Sequence, residues 1–127
     1  MAVEGIGGMF FRAQNPEALA AWYREHLNIG AGCVASGAGA PNPWCWMANG
    51  GPVVFAPFSA DTDYFSNDKA FMLNLRVNDL GAMIEQLRGA GIEVTTRDEW
   101  DQAGVGRFAR IHDPEGNPIE LWEPAAD

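Results

Sequence analysis

The chain repeats itself. A shift of 64 residues carries Arg12 onto Arg76, Asn15 onto Asp79, Ala18 onto Ala82, Leu19 onto Met83 and Tyr23 onto Leu87. The same shift brings the turn Asn49-Gly50-Gly51 close to the turn that begins at Asp113. Each half reads strand, helix, then three strands. One such unit cannot cover both faces of its own sheet, whereas two can pair and enclose a cleft between their sheets. The expectation is an α+β protein: two paired βαβββ modules forming a partly rolled β-sheet around a cleft, with the helices outside. Residues 1–58 make the first module, 59–69 a linker and 70–127 the second module. The 127 residues suit one such domain, since roughly 100–200 residues make one.

Local signals place the elements. Residues 6–12 read as a strand. Asn15 is an N-cap, and Pro16 takes the first helical position, where its missing N–H costs nothing. The helix runs to about Leu27, with Leu19, Trp22, Tyr23, His26 and Leu27 on one buried face. Residues 31–36 form a short strand and 37–43 a Gly- and Pro-rich loop. Strands 44–48 and 53–58 flank the Asn49-Gly50-Gly51 hairpin turn. The polar stretch 59–69 has no period. In the second half 71–77 is a strand, and Asp79 caps a helix whose stripe is Leu80, Met83, Ile84 and Leu87, ending near Gly89 or Gly91. Strand 92–97, loop 98–106 and strand 107–112 follow. In the tight turn 113–117, Asp113 accepts from the amides after it, Pro114 presets φ, and Gly116 or Asn117 supplies the left-handed residue. Residues 118–122 are the last strand.

Charge narrows the partners. Eight basic residues face 17 acidic ones, a net −9, which disfavours nucleic acid and a polybasic membrane-surface mode. No run reaches the ~18 apolar residues of a membrane span. MAVEGIGGMFF lacks a basic n-region, so a cytoplasmic protein is the expectation. Cys33 and Cys45 fit neither a CxxC pattern nor zinc spacing and read as free, buried thiols, with a mutual disulfide as the alternative.

The second half, FMLNLRVNDLGAMIEQLRGAGIEV followed by GRFARIHDPEGNPIELWEP, resembles the vicinal oxygen chelate superfamily, and GMFFRAQNPEALAAWYREHLNIG resembles its opening strand and helix. That superfamily includes glyoxalase I, extradiol dioxygenases, methylmalonyl-CoA epimerase, fosfomycin-resistance enzymes and bleomycin-resistance binding proteins. Its metal enzymes hold an ion with four inward-facing side chains, usually His, Glu or Gln. The resemblance puts these positions at Gly8, Ala56, Met72 and Glu120, and the 64-residue shift relates them pairwise. Glycine and alanine offer no ligand atom, and a thioether is a poor ligand for hard divalent ions. No metal and no other cofactor is therefore expected.

Strand alternation sorts the remaining side chains. Phe10 and Arg12, then Met72, Asn74 and Arg76, then Phe108, Arg110 and His112, and finally Glu120 and Trp122 face the cleft. Leu73, Leu75, Ala109, Ile111, Ile119 and Leu121 lie under the helices. The ligand-binding candidates are Phe10, Arg12, Met72, Asn74, Arg76, Phe108, Arg110 and Trp122, with Glu120 the catalytic candidate. An aromatic cleft with a few polar groups suits a small organic molecule. A purely structural alternative pairs Arg76 or Arg110 with Glu120 to satisfy a buried carboxylate. His26 reads as packing and His112 as a turn-flanking residue. Trp44 and Trp46 suit cleft wall, dimer contact or core. Three functions stay open: a metal-independent binding protein, a metal-dependent lyase, isomerase or dioxygenase, and a metal-free enzyme using Glu120 as base. Sheet edges and the aromatic residues Trp44, Trp46, Phe65 and Trp100 lead us to expect a homodimer.

Overall fold

The computed structural model describes residues 2–30 and 45–126. The expected strand 31–36, the loop 37–43, Cys33 and Trp44 lie outside these. Helix α1, Pro16–Leu27, starts where the sequence places it: Asn15 accepts the Ala18 amide at 3.1 Å, and Pro16 occupies the first turn. It ends at Asn28 in the left-handed conformation (φ 57°), which Asn tolerates. Strand β1, Leu73–Arg76, leads to helix α2, Leu80–Gly89, capped by Asp79 through the Ala82 amide at 3.0 Å. Glu123 adds a second N-terminal acceptor, taking the Leu80 amide at 2.8 Å. Strands β2, Gly106–His112, and β3, Pro118–Pro124, close the chain.

The three strands form one mixed sheet in the order β1-β3-β2. Strand β3 is parallel to β1 and antiparallel to β2. The two helices lie over one face, and the core between is Leu19 and Tyr23 of α1, Leu80, Ile84 and Leu87 of α2, and Leu75, Ala109, Ile111, Ile119 and Leu121 of the sheet. Burying each large side chain there contributes about 1.5–3 kcal/mol. The alternation inferred for all three strands holds, with the apolar set against the helices.

The strand expected at 92–97 narrows to a two-bond bridge, Thr95 with Arg110, because the chain turns into a single 3-10 turn at Asp98–Trp100. In the first half, the expected strands 6–12 and 53–58, and the described part (45–48) of the expected strand 44–48, carry no regular structure. Their apolar side chains are largely exposed, Phe10 at 97% and Phe55 at 89%. A strand exists only with a hydrogen-bonded neighbour, and among the described residues β1 has a strand on one side alone. Cys45 is disulfide-bonded, which corrects the expectation of a free thiol there. Pairing depends on where the chain path brings two sulfurs, and motif spacing does not encode that.

Candidate functional site

The sheet face away from the helices carries two rows of side chains that the strand register sets side by side. Asn74 of β1 is opposite Glu120 of β3, which is opposite Arg110 of β2. One step along, Arg76, Trp122 and Phe108 form the second row, with the Phe108 and Trp122 rings stacked at 6.2 Å and 4°. Trp122 is held by its indole N–H, which donates to the Val105 carbonyl at 2.9 Å. Gly106 makes that approach possible: at φ +138°, a Cβ there would stand 2.2 Å from the Glu123 carbonyl oxygen and 2.7 Å from Trp122 Nε1.

Glu120 is 8% exposed, so its carboxylate needs partners. The Tyr64 hydroxyl donates to Oε2, and Asn74 Nδ2 donates to Oε1 at 2.7 Å. The alternative in which an arginine pairs with Glu120 fails: among the described residues no basic nitrogen lies within 4.0 Å of it. Arg76 is committed elsewhere, donating to the carbonyls of Asn49 (2.9 Å), Pro52 (3.3 Å) and Gly50 (3.5 Å). Arg110 is 7% exposed and lies between aromatic rings, its Cζ 4.8 Å from the Tyr64 ring centroid and 5.4 Å from that of Trp100. Its Nη1 donates to the Tyr64 carbonyl at 3.0 Å, and its Nε and Nη2 have no partner. Tyr64 thus serves both charges, hydroxyl to the acid and carbonyl to the base. Burial, then the hydrogen bond to Glu120 and its charge, push the Tyr64 phenol up to about 12, against an opposing pull from Arg110.

Two cavities adjoin this face. The larger, about 1680 Å³, is lined by Met72, Asn74, Arg76 and Trp122 together with Gly8, Trp46, Ala56 and Phe58. The smaller, about 730 Å³, is lined by Arg110 and the 60–67 loop. Phe108 and Glu120 share the sheet face without lining either cavity, and Phe10 and Arg12 are exposed and stand apart from both. Of the four positions implied for a metal, Gly8, Ala56 and Met72 line the larger cavity. This donor set does not fit a divalent ion: two positions have no donor atom, one is a thioether, and Glu120 has both oxygens engaged. Among the described residues no cluster of three or more His, Cys, Asp or Glu could hold one.

Sequence reasoning missed Tyr64 and treated Trp100 as surface. Tyr64 sits in an irregular segment and Trp100 at the end of the single 3-10 turn, and neither segment has a period that says which way a side chain points. The available signal was compositional: Tyr64 and Phe65 interrupt an otherwise polar linker. They join Phe58 in an aromatic chain, with centroids 5.5 Å (Phe58–Tyr64), 5.9 Å (Phe58–Phe65) and 5.9 Å (Tyr64–Trp100) apart. His26 packs against Trp22, with ring centroids 5.4 Å apart and planes tilted by 55°, as expected, and His112 is exposed.

A solved structure of TnmS3, an antibiotic binding protein from Streptomyces sp. CB03234, matches with a TM-score of 0.60 over 98% of this chain and 99% of that one, at 22% identity. It shares the fold. A glyoxalase/bleomycin resistance protein from the same Streptomyces strain aligns over 40% of this chain and 42% of its own, at 33% identity and a TM-score of 0.35. Among curated proteins none matches significantly. No helix of the described residues is long and apolar enough to cross a membrane. The family model for the glyoxalase-like domain matches residues 8–122, and so the chain belongs to that family, within the vicinal oxygen chelate superfamily.

Proposed function

We propose that this chain binds a small organic molecule in the cleft on the polar face of its sheet, without a tightly bound metal or other cofactor. The observation that carries the reading is the cleft itself: about 1680 Å³, walled by the rings of Trp46, Phe58, Phe71 and Trp122 with polar side chains among them, and with no cluster of metal-ligating side chains among the described residues. The name of TnmS3, an antibiotic binding protein of the same fold, supports it. In this reading Met72 and Trp122 supply apolar contact, and Asn74 orients the ligand. Arg76 braces the cleft wall through the 49–52 carbonyls.

The working form in this proposal is a homodimer. The exposed apolar side chains in residues 3–11 and 46–58, and the side of β1 that has no strand neighbour among the described residues, are the surfaces that a second copy would cover. Pairing of two βαβββ modules would then bring Phe10 and Arg12 to the cleft, beside Phe108. Nucleic acid and membrane partners form no part of the proposal, and a cytoplasmic location is its default.

A second reading, a metal-free enzyme with Glu120 as base, draws on the Tyr64–Glu120 hydrogen bond in a buried site. Native mass spectrometry of protein purified without added metal tests the main reading. The expected species is a dimer carrying an organic adduct and no metal. A stoichiometric divalent ion in the spectrum would overturn it.

A further inference from the structure

We infer that Asn49 is a site of spontaneous deamidation and that Arg76 promotes the reaction. The inference goes beyond the binding reading and does not depend on it. Of the eight asparagines in the chain, Asn49 alone precedes a glycine. Asn15, Asn42 and Asn117 precede prolines, whose nitrogen has no proton to lose. Deamidation begins when the next residue's backbone nitrogen attacks the asparagine side chain. Glycine, with no Cβ, leaves that approach open.

The structure leaves the reacting groups uncommitted. Asn49, Gly50 and Gly51 are exposed and lie outside regular structure. Among the described residues neither the Gly50 N–H nor the Asn49 side chain has a hydrogen-bond partner. By contrast, the amide after Asn28 is bonded to the Tyr23 carbonyl at 3.2 Å, and the residue after Asn74 lies within β1. Residues 49–51 carry none of the exposed apolar side chains that a second copy would cover.

One atom of the reacting peptide unit is engaged. The Asn49 carbonyl oxygen accepts from Arg76 Nη2 at 2.9 Å, and this carbonyl is conjugated to the Gly50 nitrogen. When that nitrogen loses its proton, the charge spreads onto the oxygen, where a guanidinium already stands. The Pro52 and Gly50 carbonyls, accepting at 3.3 and 3.5 Å, fix the guanidinium over the turn. A Cβ on Gly51 would stand 3.1 Å from Nη1, so the second glycine admits this close approach.

The chemistry needs only water. The deprotonated Gly50 nitrogen bonds to Cγ of Asn49, the Cγ–Nδ2 bond breaks, and Nδ2 leaves as ammonia, carrying the equivalent of the proton that Gly50 lost. Water then opens the succinimide at either carbonyl, giving aspartate or isoaspartate. Both products put a carboxylate on a residue that lines the larger cavity beside Arg76.

The test is incubation of the full-length protein at mildly alkaline pH, followed over time by peptide mass mapping. Asn49 is expected to convert ahead of every other amide, with isoaspartate among the products. Gly50→Ala, whose methyl would meet nothing within 4 Å, should slow conversion about ten-fold. Arg76→Gln, a change at an exposed side chain, should slow it about five-fold. That is less than the ~10²-fold effect of a donor in a buried oxyanion site, because water screens this pair. An intact Asn49, or Asn67 or Asn78 converting first, overturns the site. An undiminished rate in Gly50→Ala overturns attack by that amide, and an equal or faster rate in folded Arg76→Gln overturns the part given to Arg76.

Discussion

The Tyr23 hydroxyl donates to Oδ2 of Asp113 at 2.7 Å, tying α1 in the first half to the β2–β3 turn in the second. Asp113 also accepts from the Glu115 amide (2.9 Å), the Asn117 amide (3.0 Å) and the Asn117 side chain (2.8 Å). Glu115 in the same turn takes the Gln14 and Asn15 amides at 2.6 and 2.9 Å. Gly116, at φ +80°, is the left-handed residue that the turn requires. Asp113 is thus a structural acceptor for both the turn and the helix.

Replacing Asp113 by Ala should destabilise the protein by about 3 kcal/mol, because one buried donor, the Tyr23 hydroxyl, and three part-buried ones lose a charged acceptor together. Asp113→Asn should recover part of that loss. Urea denaturation midpoints at a common slope check both. A loss within experimental error for Asp113→Ala would remove the turn from the account of stability.

The chain has two tyrosines, and both are held protonated by the fold. Tyr64 is pushed up to about 12, and Tyr23 rises well above the ordinary phenol range through burial and its bond to Asp113. For a raised pKa the stabilising contribution is whole below the unfolded value, about 10, and is lost as pH climbs through the folded values. Native protein at about pH 11 should therefore show little phenolate absorbance, while denatured protein shows it fully developed. Stability should fall between about pH 10 and 12, and Tyr64→Phe should soften the fall. Ionisation of a tyrosine at the ordinary value in native protein would contradict this.

Gly106→Ala should cost about 3 kcal/mol or more, since the added methyl meets backbone at 2.2 Å in a conformation only glycine holds easily. The damage should reach Trp122, whose indole bonds the neighbouring Val105 carbonyl. A lowered urea midpoint with an altered tryptophan emission maximum is the expected pair of signals. Normal stability would mean that β2 begins differently from the geometry described.

Titration of nickel, zinc or manganese into chelator-treated protein should reveal no stoichiometric site of micromolar or tighter affinity. Tight binding needs several donors at about 2.0–2.3 Å, and only Glu120 among the four implied positions carries an oxygen ligand. A site that appears in calorimetry and vanishes in Glu120→Ala would restore the metal-dependent lyase.

What the sequence determined by itself was local and periodic. Asn15 and Asp79 mark both helix starts, and the period of two on β1, β2 and β3 sorts the core face of the sheet from the opposite face, because caps and alternation act over a few residues. That alternation already put Asn74, Arg110 and Glu120 on one face. How those groups pair depends on chain segments far apart in sequence. Tyr64, in an unpatterned linker 46 residues before Arg110, supplies its hydroxyl to Glu120 and its carbonyl to Arg110, and so keeps the acid from the base. The strands of the first half were legible as patterns but lack partners among the described residues, since pairing belongs to two segments and a sequence pattern belongs to one.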